Sequence, residues 1–191
     1  MRKACAIAGH RPTRFKFKYK EDYSLCKKIK KKITEQLKYL YDEKGVRRVY
    51  VGGSLGVDIW VGEIVLRLKE TSGYEEFELA VILPFAKHDQ KWDERSQKRL
   101  EFLIQHSMEH LVIGKKDCRE NYVKRNCYMI DHADYLLAVY DNDRSLNDEP
   151  IQPVRYAEEK KKEIILIHPD TAEVLQYSLE KGNLLNYVSK E

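Results

Sequence analysis

The chain alternates short apolar runs with longer segments in which apolar side chains recur every three or four positions. The apolar runs are nearly continuous, which is typical of strands buried on both faces of a parallel sheet. They span residues 3–8, 47–51, 78–83, 110–113, 135–140 and 164–168. The periodic segments predict helices over residues 21–44, 55–70, 92–107, 119–132 and 151–162. This alternation predicts an α/β fold, a doubly wound three-layer sandwich with a mostly parallel central sheet.

The alternating pattern fills residues 1–169, which we predict to form one domain. Residues 170–191 carry further apolar positions and are expected to form a C-terminal helix or an arm packed on that domain. A chain of 191 residues can bury a full core without disulfides. The four cysteines stand far apart, with no CxxC pair and no histidine at metal-ligand spacing. We therefore predict reduced, mostly buried thiols and no metal site.

Nothing in the sequence indicates export or membrane insertion. The N-terminal apolar run meets Gly9, His10 and Arg11 too early for a signal peptide. No segment approaches the roughly 20 consecutive apolar residues of a membrane-spanning helix. We therefore expect a cytoplasmic protein that makes no membrane contact.

Charge is balanced along most of the chain, which carries 35 basic and 31 acidic side chains and a net charge of +4. A mixed surface of this kind argues against nucleic acid as the partner. The exception is residues 14–32, where lysines alternate with Phe15, Phe17 and Tyr19 and then cluster on a predicted helix. Interleaved basic and aromatic side chains can contact phosphates and stack bases. The alternative is a solvated helix face after a loop that packs its aromatic side chains inward.

Glycine and polar side chains follow the predicted strands at their carboxyl ends. In a doubly wound sheet, ligands bind outside this edge, where the strand order reverses. The first strand leads into GHRP and the second into GGSLGVD, while the third is followed by LPFAKHDQKW. These loops supply the first candidate ligand-binding residues, namely Gly9, His10, Arg11, Gly52, Gly53, Ser54, Leu55, Gly56, Asp58, Pro84 and Trp92.

The GGSLG turn can be a phosphate cradle or only a tight connection from strand to helix. It lacks the GK[ST] ending of a P-loop, and its glycine spacing is not GxGxxG. The backbone amides of Gly53, Ser54 and Leu55 are nevertheless placed to meet an anion at the N-terminus of the following helix. Asp58 lies in the first predicted helical turn, where the helix dipole favours its carboxylate. Both interpretations stay open at this point.

Five stretches, in order along the chain, suggest a family. They are AGHRP, GGSLGVDIWVGEIVL, LPF with QKW, YVKRNCYMIDHADYLLAVYD and PVRYAEEKKKEIILI, and they lie within residues 4–169. In this combination the chain resembles the YpsA-like branch of the SLOG superfamily, a Rossmann-like group that includes the LOG and DprA proteins. The resemblance implies a nucleotide-derived ligand such as ADP-ribose, NAD or a nucleoside phosphate. It also implies ties to cell division or to nucleotide-linked conflict systems, and self-association into a homo-oligomer.

The predicted helix at residues 119–132 adds three candidate ligand-binding residues. Arg125 and Asn126 can bind a phosphate or a base edge, and the resemblance places them in the ligand pocket. Asp131, near the end of the helix, is either a further pocket residue or a support that bonds to backbone or to Arg11 and holds the first loop in place. Trp92, from the earlier loop, can stack on a base, and its alternative is a core anchor.

One departure from the family pattern concerns the segment before VRYA. Family members typically carry GGTxxT there, whereas this chain has NDEPIQP, in which Pro150 and Pro153 remove backbone donors. The LOG enzymes place a catalytic glutamate in PGGxGTxxE, a motif that this sequence lacks. Glu63 and His10 are the remaining candidates for a catalytic acid or base.

The sequence therefore favours a nucleotide-binding regulatory or sensor protein that needs no cofactor and does not turn its ligand over. One alternative is an enzyme, a nucleotide phosphoribohydrolase or NAD-processing hydrolase of the LOG type, with Glu63 or His10 as acid or base. The other is a non-enzymatic interaction protein that contacts a division partner or nucleic acid through residues 14–32.

Overall fold

The structure is a computed structural model that describes residues 2–145, 150–180, 183–184 and 187–188. Its strands are β1 (Lys3–Gly9), β2 (Val46–Val51), β3 (Glu78–Phe85), β4 (Glu109–Gly114), β5 (Tyr135–Val139), β6 (Glu163–Ile167), β7 (Val174–Glu180), β8 (Asn183–Leu184) and β9 (Tyr187–Val188). Its helices are α1 (Ser24–Asp42), α2 (Val57–Lys69), α3 (Glu94–His106), α4 (Arg119–Asp131) and α5 (Ile151–Glu159), with a short 3-10 helix at Pro12–Arg14. The strands and helices predicted from the apolar pattern are all present, with ends that shift by a few residues.

The central sheet has the strand order β4-β3-β2-β1-β5-β6-β7, and β8 and β9 pair with β7 at one edge. Within the described residues, the strands from β4 to β6 in this order are parallel to their neighbours, and β7 is antiparallel to β6. The chain adds β2, β3 and β4 on one side of β1 and then crosses over to add β5 on the other side. The strand order therefore reverses between β1 and β5, where a doubly wound sheet opens a ligand crevice.

Helices cover both faces of the sheet. α1, α2 and α3 pack on one face, together with Cys5 and Ile7 of β1. α4 and α5 pack on the other face, together with Ala4, Ala6 and Ala8 of β1. Successive residues of a strand point to opposite faces, which is why β1 contributes to both layers. The prediction of a doubly wound three-layer α/β sandwich is confirmed.

The long helix α1 follows the periodicity of its sequence. Its buried side chains recur at steps of three or four and lie on one side of the helix, namely Cys26, Ile29, Ile33, Leu37, Leu40 and Tyr41. The helix ends at Asp42, and Gly45 then adopts a φ of +74°. A glycine in this left-handed conformation is common just after a helix and turns the chain into β2.

The start of α3 is later than the apolar pattern predicted. The Asp93 side chain accepts a hydrogen bond of 3.1 Å from the Ser96 backbone N–H, so Asp93 caps the helix and α3 begins at Glu94. Trp92 therefore precedes the helix, in a turn that its own N–H closes by donating to the Asp89 carbonyl over 2.8 Å.

The C-terminal segment also differs from the prediction. Val174–Glu180 form β7, which pairs Val174 with Ile167 and Ser178 with Glu163 of β6. Of the two predicted alternatives for residues 170–191, a helix or an arm packed on the domain, this part of the chain does not form the helix and pairs with the sheet instead. The exposed edge of β6 offers backbone donors and acceptors that a further strand can satisfy, and a helix cannot. The domain boundary at residue 169 stays a prediction, and residues 181–182, 185–186 and 189–191 lie outside the described residues.

The cysteines are free thiols and divide into two classes. Cys5 and Cys26 are buried, whereas Cys118 and Cys127 are half-buried. Burial raises the pKa of the Cys5 thiol to about 12 and that of Cys26 to about 11. Both thiols therefore stay protonated and unreactive at neutral pH.

The helices that the structure describes include no candidate for a membrane-spanning segment. Along residues 2–145 and 150–180, none is both long enough and apolar enough to cross a bilayer.

Candidate functional site

A cavity of about 530 Å³ opens at the carboxyl ends of the strands, beside β1 at the point where the strand order reverses. Its floor is the end of β1, and its walls come from the loop before α2, from α4 and from the start of α5. The lining residues are Ile7, Ala8, Gly9, Arg11, Ser54, Asp58, Asp117, Arg119, Tyr122, Val123, Arg125, Asn126, Pro150, Ile151, Gln152 and Pro153. The size is typical of small-molecule sites, which range from about 300 to about 1,000 Å³.

Six residues predicted from the sequence line this cavity together. They are Gly9, Arg11, Ser54, Asp58, Arg125 and Asn126. They come from three different segments, which meet because the carboxyl ends of parallel strands lie at one edge of the sheet.

The glycine turn before α2 is held in a conformation that side chains would disturb. Gly53 and Gly56 have φ angles of +69° and +90°, the left-handed region that glycine tolerates best. A Cβ on Gly53 would lie 2.5 Å from Leu83 Cδ2, and one on Gly56 would lie 2.9 Å from the His10 carbonyl oxygen. The turn is thus packed against β3 on one side and against the first loop on the other.

Asp58 occupies part of the amide cradle that the sequence offered to a phosphate. Its Oδ2 accepts a hydrogen bond of 3.0 Å from the backbone N–H of Ser54. Asp58 is buried in the first turn of α2, where the helix dipole stabilises a carboxylate. The turn therefore has a structural function of its own, and one of its amides already has an anionic partner from the same chain.

Arg125 ties the glycine turn to α4. Its Nη1 donates to the Gly52 carbonyl over 2.6 Å and to Ser54 Oγ over 3.3 Å. Its Nε donates to Asn126 Oδ1 over 3.0 Å, and Asn126 Nδ2 donates to Gln152 Oε1 over 2.8 Å. This chain of hydrogen bonds links the turn before α2 to the first turn of α5 across the cavity wall.

Positive charge and an aromatic ring share the cavity. The guanidinium carbons of Arg11 and Arg125 lie 5.8 Å and 5.6 Å from the centroid of the Tyr122 ring. Such distances permit cation–π attraction, which orients both side chains. Arg119, the first residue of α4, adds a third guanidinium to the lining.

Three helices point their N-termini at the cavity. The lining includes Asp58 from the start of α2, Arg119 from the start of α4, and Ile151 and Gln152 from the start of α5. Each N-terminus carries a partial positive charge and backbone N–H groups without partners in the helix. The cavity is therefore suited to an anionic ligand.

Behind the glycine turn, a histidine supports Gly53. His88 Nε2 donates to the Gly53 carbonyl over 2.9 Å, and its ring meets Trp92 edge-on at 5.2 Å. Burial lowers the pKa of His88, which favours the neutral ring at pH 7. Trp92 thus packs against the histidine that supports the turn and is not among the lining residues.

Several predicted site residues lie outside the cavity lining. Leu55 and Gly52 belong to the glycine turn, and Pro84 is buried within β3. His10 is buried, with its ring centroid 6.2 Å from that of Phe15 and 5.9 Å from that of Tyr140. These residues can shape the loops around a ligand without reaching it.

Asp131 and Glu63 are placed away from the cavity by their ion pairs. Asp131, at the last position of α4, accepts a hydrogen bond of 3.0 Å from the Tyr156 hydroxyl and lies 3.1 Å from Lys160 Nζ. These contacts are with α5 and the residue that follows it, and a pairing of Asp131 with Arg11 stays a prediction. The Glu63 carboxylate accepts two hydrogen bonds from Arg99, of 2.6 Å and 2.8 Å, between α2 and α3.

Sequence reasoning missed lining residues that the starts of α4 and α5 supply. These are Asp117, Arg119, Tyr122, Val123, Ile151 and Gln152. The helix pattern contained a usable signal, because helices that follow parallel strands begin at the ligand-binding edge. The two prolines singled out in the sequence, Pro150 and Pro153, do line the cavity. No cluster of three potential metal ligands occurs in the part of the chain that the structure describes.

Comparison with known families supports the resemblance that the five sequence stretches indicated. The family model YpsA, described as the YspA SLOG family, matches residues 5–172. A UPF0398 protein of Bacillus cereus (strain B4264) is 28% identical over 144 residues, which cover 74% of this chain and 76% of the relative. A UPF0398 protein of Staphylococcus epidermidis (strain ATCC 35984) is 30% identical over 128 residues, which cover 66% of each chain.

Solved structures show the same fold at low sequence identity. DNA processing protein A from Helicobacter pylori, described for its single-stranded DNA binding mode, has a TM-score of 0.57 and 19% identity. The similarity covers 86% of this chain and 65% of that one, so this chain spans less than two thirds of its length. TM1055, a structural genomics target, has a TM-score of 0.53 and 16% identity, with coverage of 86% and 74%.

These similarities confirm the Rossmann-like architecture that the resemblance implied. The family match includes β1 from Cys5 onward and all the described residues that line the cavity. The chain belongs to the YpsA family of SLOG proteins.

Proposed function

We propose that the sheet-edge cavity binds a nucleotide-derived ligand that carries phosphate, and that the protein is a binding or regulatory module. ADP-ribose, NAD and nucleoside phosphates are the candidate ligands. The observation that carries this proposal is the convergence of three helix N-termini with Arg11, Arg119 and Arg125 at one cavity. Helix N-termini and guanidinium groups both favour phosphate oxygens.

The start of α5 is the proposed position of the phosphate. Since Asp58 already accepts the Ser54 N–H, the glycine turn offers fewer donors than its sequence suggested. The first N–H groups of a helix have no partner within the helix, and Pro153 has no N–H to give. Ile151 and Gln152 supply the remaining backbone donors, with the guanidinium groups of Arg11 and Arg119 in the same cavity.

The apolar part of the lining suits the ring of a base. Ile7, Ala8, Val123 and Ile151 present aliphatic surface, and Tyr122 presents an aromatic ring. Ligand sites commonly combine such a surface with a few polar groups that fix orientation. A nucleotide supplies both parts, an apolar ring and a charged phosphate.

The positions of the candidate acid and base support binding without turnover. The Glu63 carboxylate is held by Arg99, and the His10 ring packs against Phe15 and Tyr140. Neither residue lines the sheet-edge cavity, and Glu63 lines a separate cavity beside α3. A general acid or base must reach the reacting atom within hydrogen-bond distance.

Calorimetric titration with AMP, ADP-ribose, NAD and cyclic ADP-ribose tests the proposal. We expect at least one of them to bind, and Arg119→Gln to weaken that binding by about tenfold or more, since a hydrogen bond to a charged group contributes about 1.5–3 kcal/mol. Arg155→Gln is the matched control, because Arg155 is exposed on α5 and outside the cavity lining. Absence of binding for all four ligands, or an equal loss in the control, would overturn the proposal.

Turnover is tested separately by incubating the protein with AMP and with NAD and separating the products by chromatography. A binding module leaves both compounds intact. Release of free adenine or nicotinamide would replace the binding function with hydrolysis of the ribose–base bond.

A further inference from the structure

The segment at residues 14–32 separates into buried and exposed aromatic side chains. Phe15 and Phe17 are 2% and 4% exposed, and their ring centroids lie 5.3 Å and 6.1 Å from that of Trp60 in α2. Tyr19 and Tyr23 are 63% and 54% exposed. The two phenylalanines therefore anchor the segment on the domain, while the two tyrosines face solvent.

Exposed lysines lie before and after the two exposed tyrosines in the sequence. Lys27 and Lys28 are exposed and precede the exposed Lys31 by four and three positions, so the three lie together on the face of α1 opposite its buried side chains. The loop before α1 adds further exposed lysines. We call the whole set the aromatic–basic surface, and its members are Lys16, Lys18, Tyr19, Lys20, Tyr23, Lys27, Lys28 and Lys31.

The charge of the segment contrasts with that of the rest of the chain. Residues 14–32 contain nine basic and two acidic side chains, a balance of +7, while the whole chain carries +4. The other residues therefore sum to −3. The net positive charge of the chain thus comes entirely from this one continuous segment, and a partner of opposite charge would be drawn to this surface.

Carboxylates pair with two members of this surface, Lys16 with Asp170 over 3.7 Å and Lys31 with Glu35 over 4.0 Å. The Glu21 carboxylate accepts hydrogen bonds from Arg99 and Lys30, on the side of the segment that faces the domain. Among the described residues, no carboxylate lies within ion-pair distance of Lys27 or Lys28. Like charges at helical neighbours destabilise a helix, and a bound polyanion would remove that repulsion.

We propose that the aromatic–basic surface binds a single strand of nucleic acid. The lysines contact phosphates, and the rings of Tyr19 and Tyr23 stack on bases, the combination by which single strands are bound without sequence preference. Tyr23 also stacks on Phe17, with centroids 6.2 Å apart and an angle of 24° between the rings, so its orientation is set in advance. A duplex hides the faces of its bases, and an acidic protein surface gives exposed tyrosines no comparable partner. This proposal does not rest on the ligand proposed for the cavity.

Fluorescence anisotropy with the full chain and a labelled single-stranded oligothymidylate tests the proposal. Lys27→Gln, Lys28→Gln and Lys31→Gln together should reduce the slope of log affinity against log salt by about 2, because each phosphate contact on a single strand contributes about 0.7. Tyr19→Ala should weaken binding by about tenfold, as expected from loss of one stacked base. Binding to oligouridylate should respond to both changes in the same way.

The matched control removes the same number of charges from the opposite face of the sheet. Lys124→Gln, Arg155→Gln and Lys161→Gln change exposed residues on α4, on α5 and just after α5, and should leave the salt slope unchanged. Circular dichroism verifies that each variant is folded. The proposal would be overturned if the control variant lowered the salt slope of binding as much as the lysine variant does, or if the parent protein did not bind the oligonucleotide. Equal affinity for a duplex of the same length, or tighter binding to phosphatidylserine vesicles, would also overturn it.

Discussion

The carboxylate of Asp58 accepts a hydrogen bond of 3.0 Å from the backbone N–H of Ser54, four residues earlier in the chain. A turn that looks from its sequence like a site for an external anion is therefore partly filled by an internal one. Any ligand phosphate must displace this carboxylate or bind beside it. The second arrangement is the one proposed here, with the phosphate at the start of α5.

Replacing Asp58 by asparagine should strengthen the binding of AMP. Removing one negative charge next to the ligand is worth about 1 kcal/mol, or roughly fivefold in affinity. Loss of a carboxylate from the first turn of α2 should also lower the free energy of unfolding by about 0.5–1 kcal/mol. Calorimetry measures the first effect and urea denaturation the second.

Glu94→Gln provides a comparison for the Asp58 variant. Glu94 lies in the first turn of α3 and outside the lining of the sheet-edge cavity. The Glu94→Gln variant should lower the free energy of unfolding through the same helix-dipole effect, without changing the affinity for AMP. Tighter AMP binding in Glu94→Gln would show that the effect at Asp58 is not local.

Replacing Arg125 by methionine should destabilise the protein by about 2 kcal/mol, because the buried Gly52 carbonyl loses its charged donor at 2.6 Å. Urea denaturation, followed by circular dichroism, measures the change. Arg119→Met is the matched variant, since Arg119 is exposed at the start of α4, and it should stay within about 0.5 kcal/mol of the parent. Equal destabilisation by the two variants would contradict the conclusion that Arg125 holds the glycine turn against α4.

Replacing Gly53 by alanine should cost more stability than replacing Gly45. Both glycines have similar φ angles, +69° and +74°, so both variants carry about 1–2 kcal/mol of left-handed strain. A Cβ on Gly53 would in addition lie 2.5 Å from Leu83 Cδ2, whereas one on Gly45 would meet no atom within 4 Å. The difference between the two unfolding free energies therefore isolates the packing of the turn against β3. If the two variants had nearly equal free energies of unfolding, β3 would accommodate the added Cβ at no cost.

Stability should fall in acid partly through Glu21. Burial by itself raises the pKa of Glu21, but the hydrogen bonds from Arg99 and Lys30 outweigh it, and the pKa falls from 4.5 to about 2. A carboxyl group whose folded pKa is depressed contributes stability above its unfolded pKa and loses it as the pH falls through the folded value. The contribution is therefore present at pH 5 and is lost progressively between about pH 4.5 and about pH 2.

The variant Glu21→Gln tests this dependence. Urea denaturation at pH 5 and at pH 2.5 should show a drop in stability that is smaller in the variant by about 1–2 kcal/mol, after allowance for solvent screening of a partly exposed carboxylate. Parallel curves for the parent and Glu21→Gln over this range would contradict the depressed pKa.

The sequence alone predicted the layered α/β fold and six of the cavity residues. Buried strands and amphipathic helices produce different apolar periods, so their order along the chain can be recognised without coordinates. Parallel strands place their carboxyl ends at one edge, and this geometry is sufficient to bring Gly9, Ser54 and Arg125 to the same side of the sheet.

Other features depend on contacts between residues far apart in the chain. The spacing of apolar residues predicts that Glu63 lies on α2. It does not predict that Arg99 of α3 holds the Glu63 carboxylate outside the sheet-edge cavity. The alternation of aromatic and basic residues does not distinguish Phe17, which packs on Trp60, from the exposed Tyr19. The spacing of the apolar residues after residue 170 is compatible with a helix or a strand. The strand forms because it can pair with the open edge of β6. Local patterns indicate the type and order of the helices and strands, whereas the burial and the partner of an individual side chain are set by packing across the whole domain.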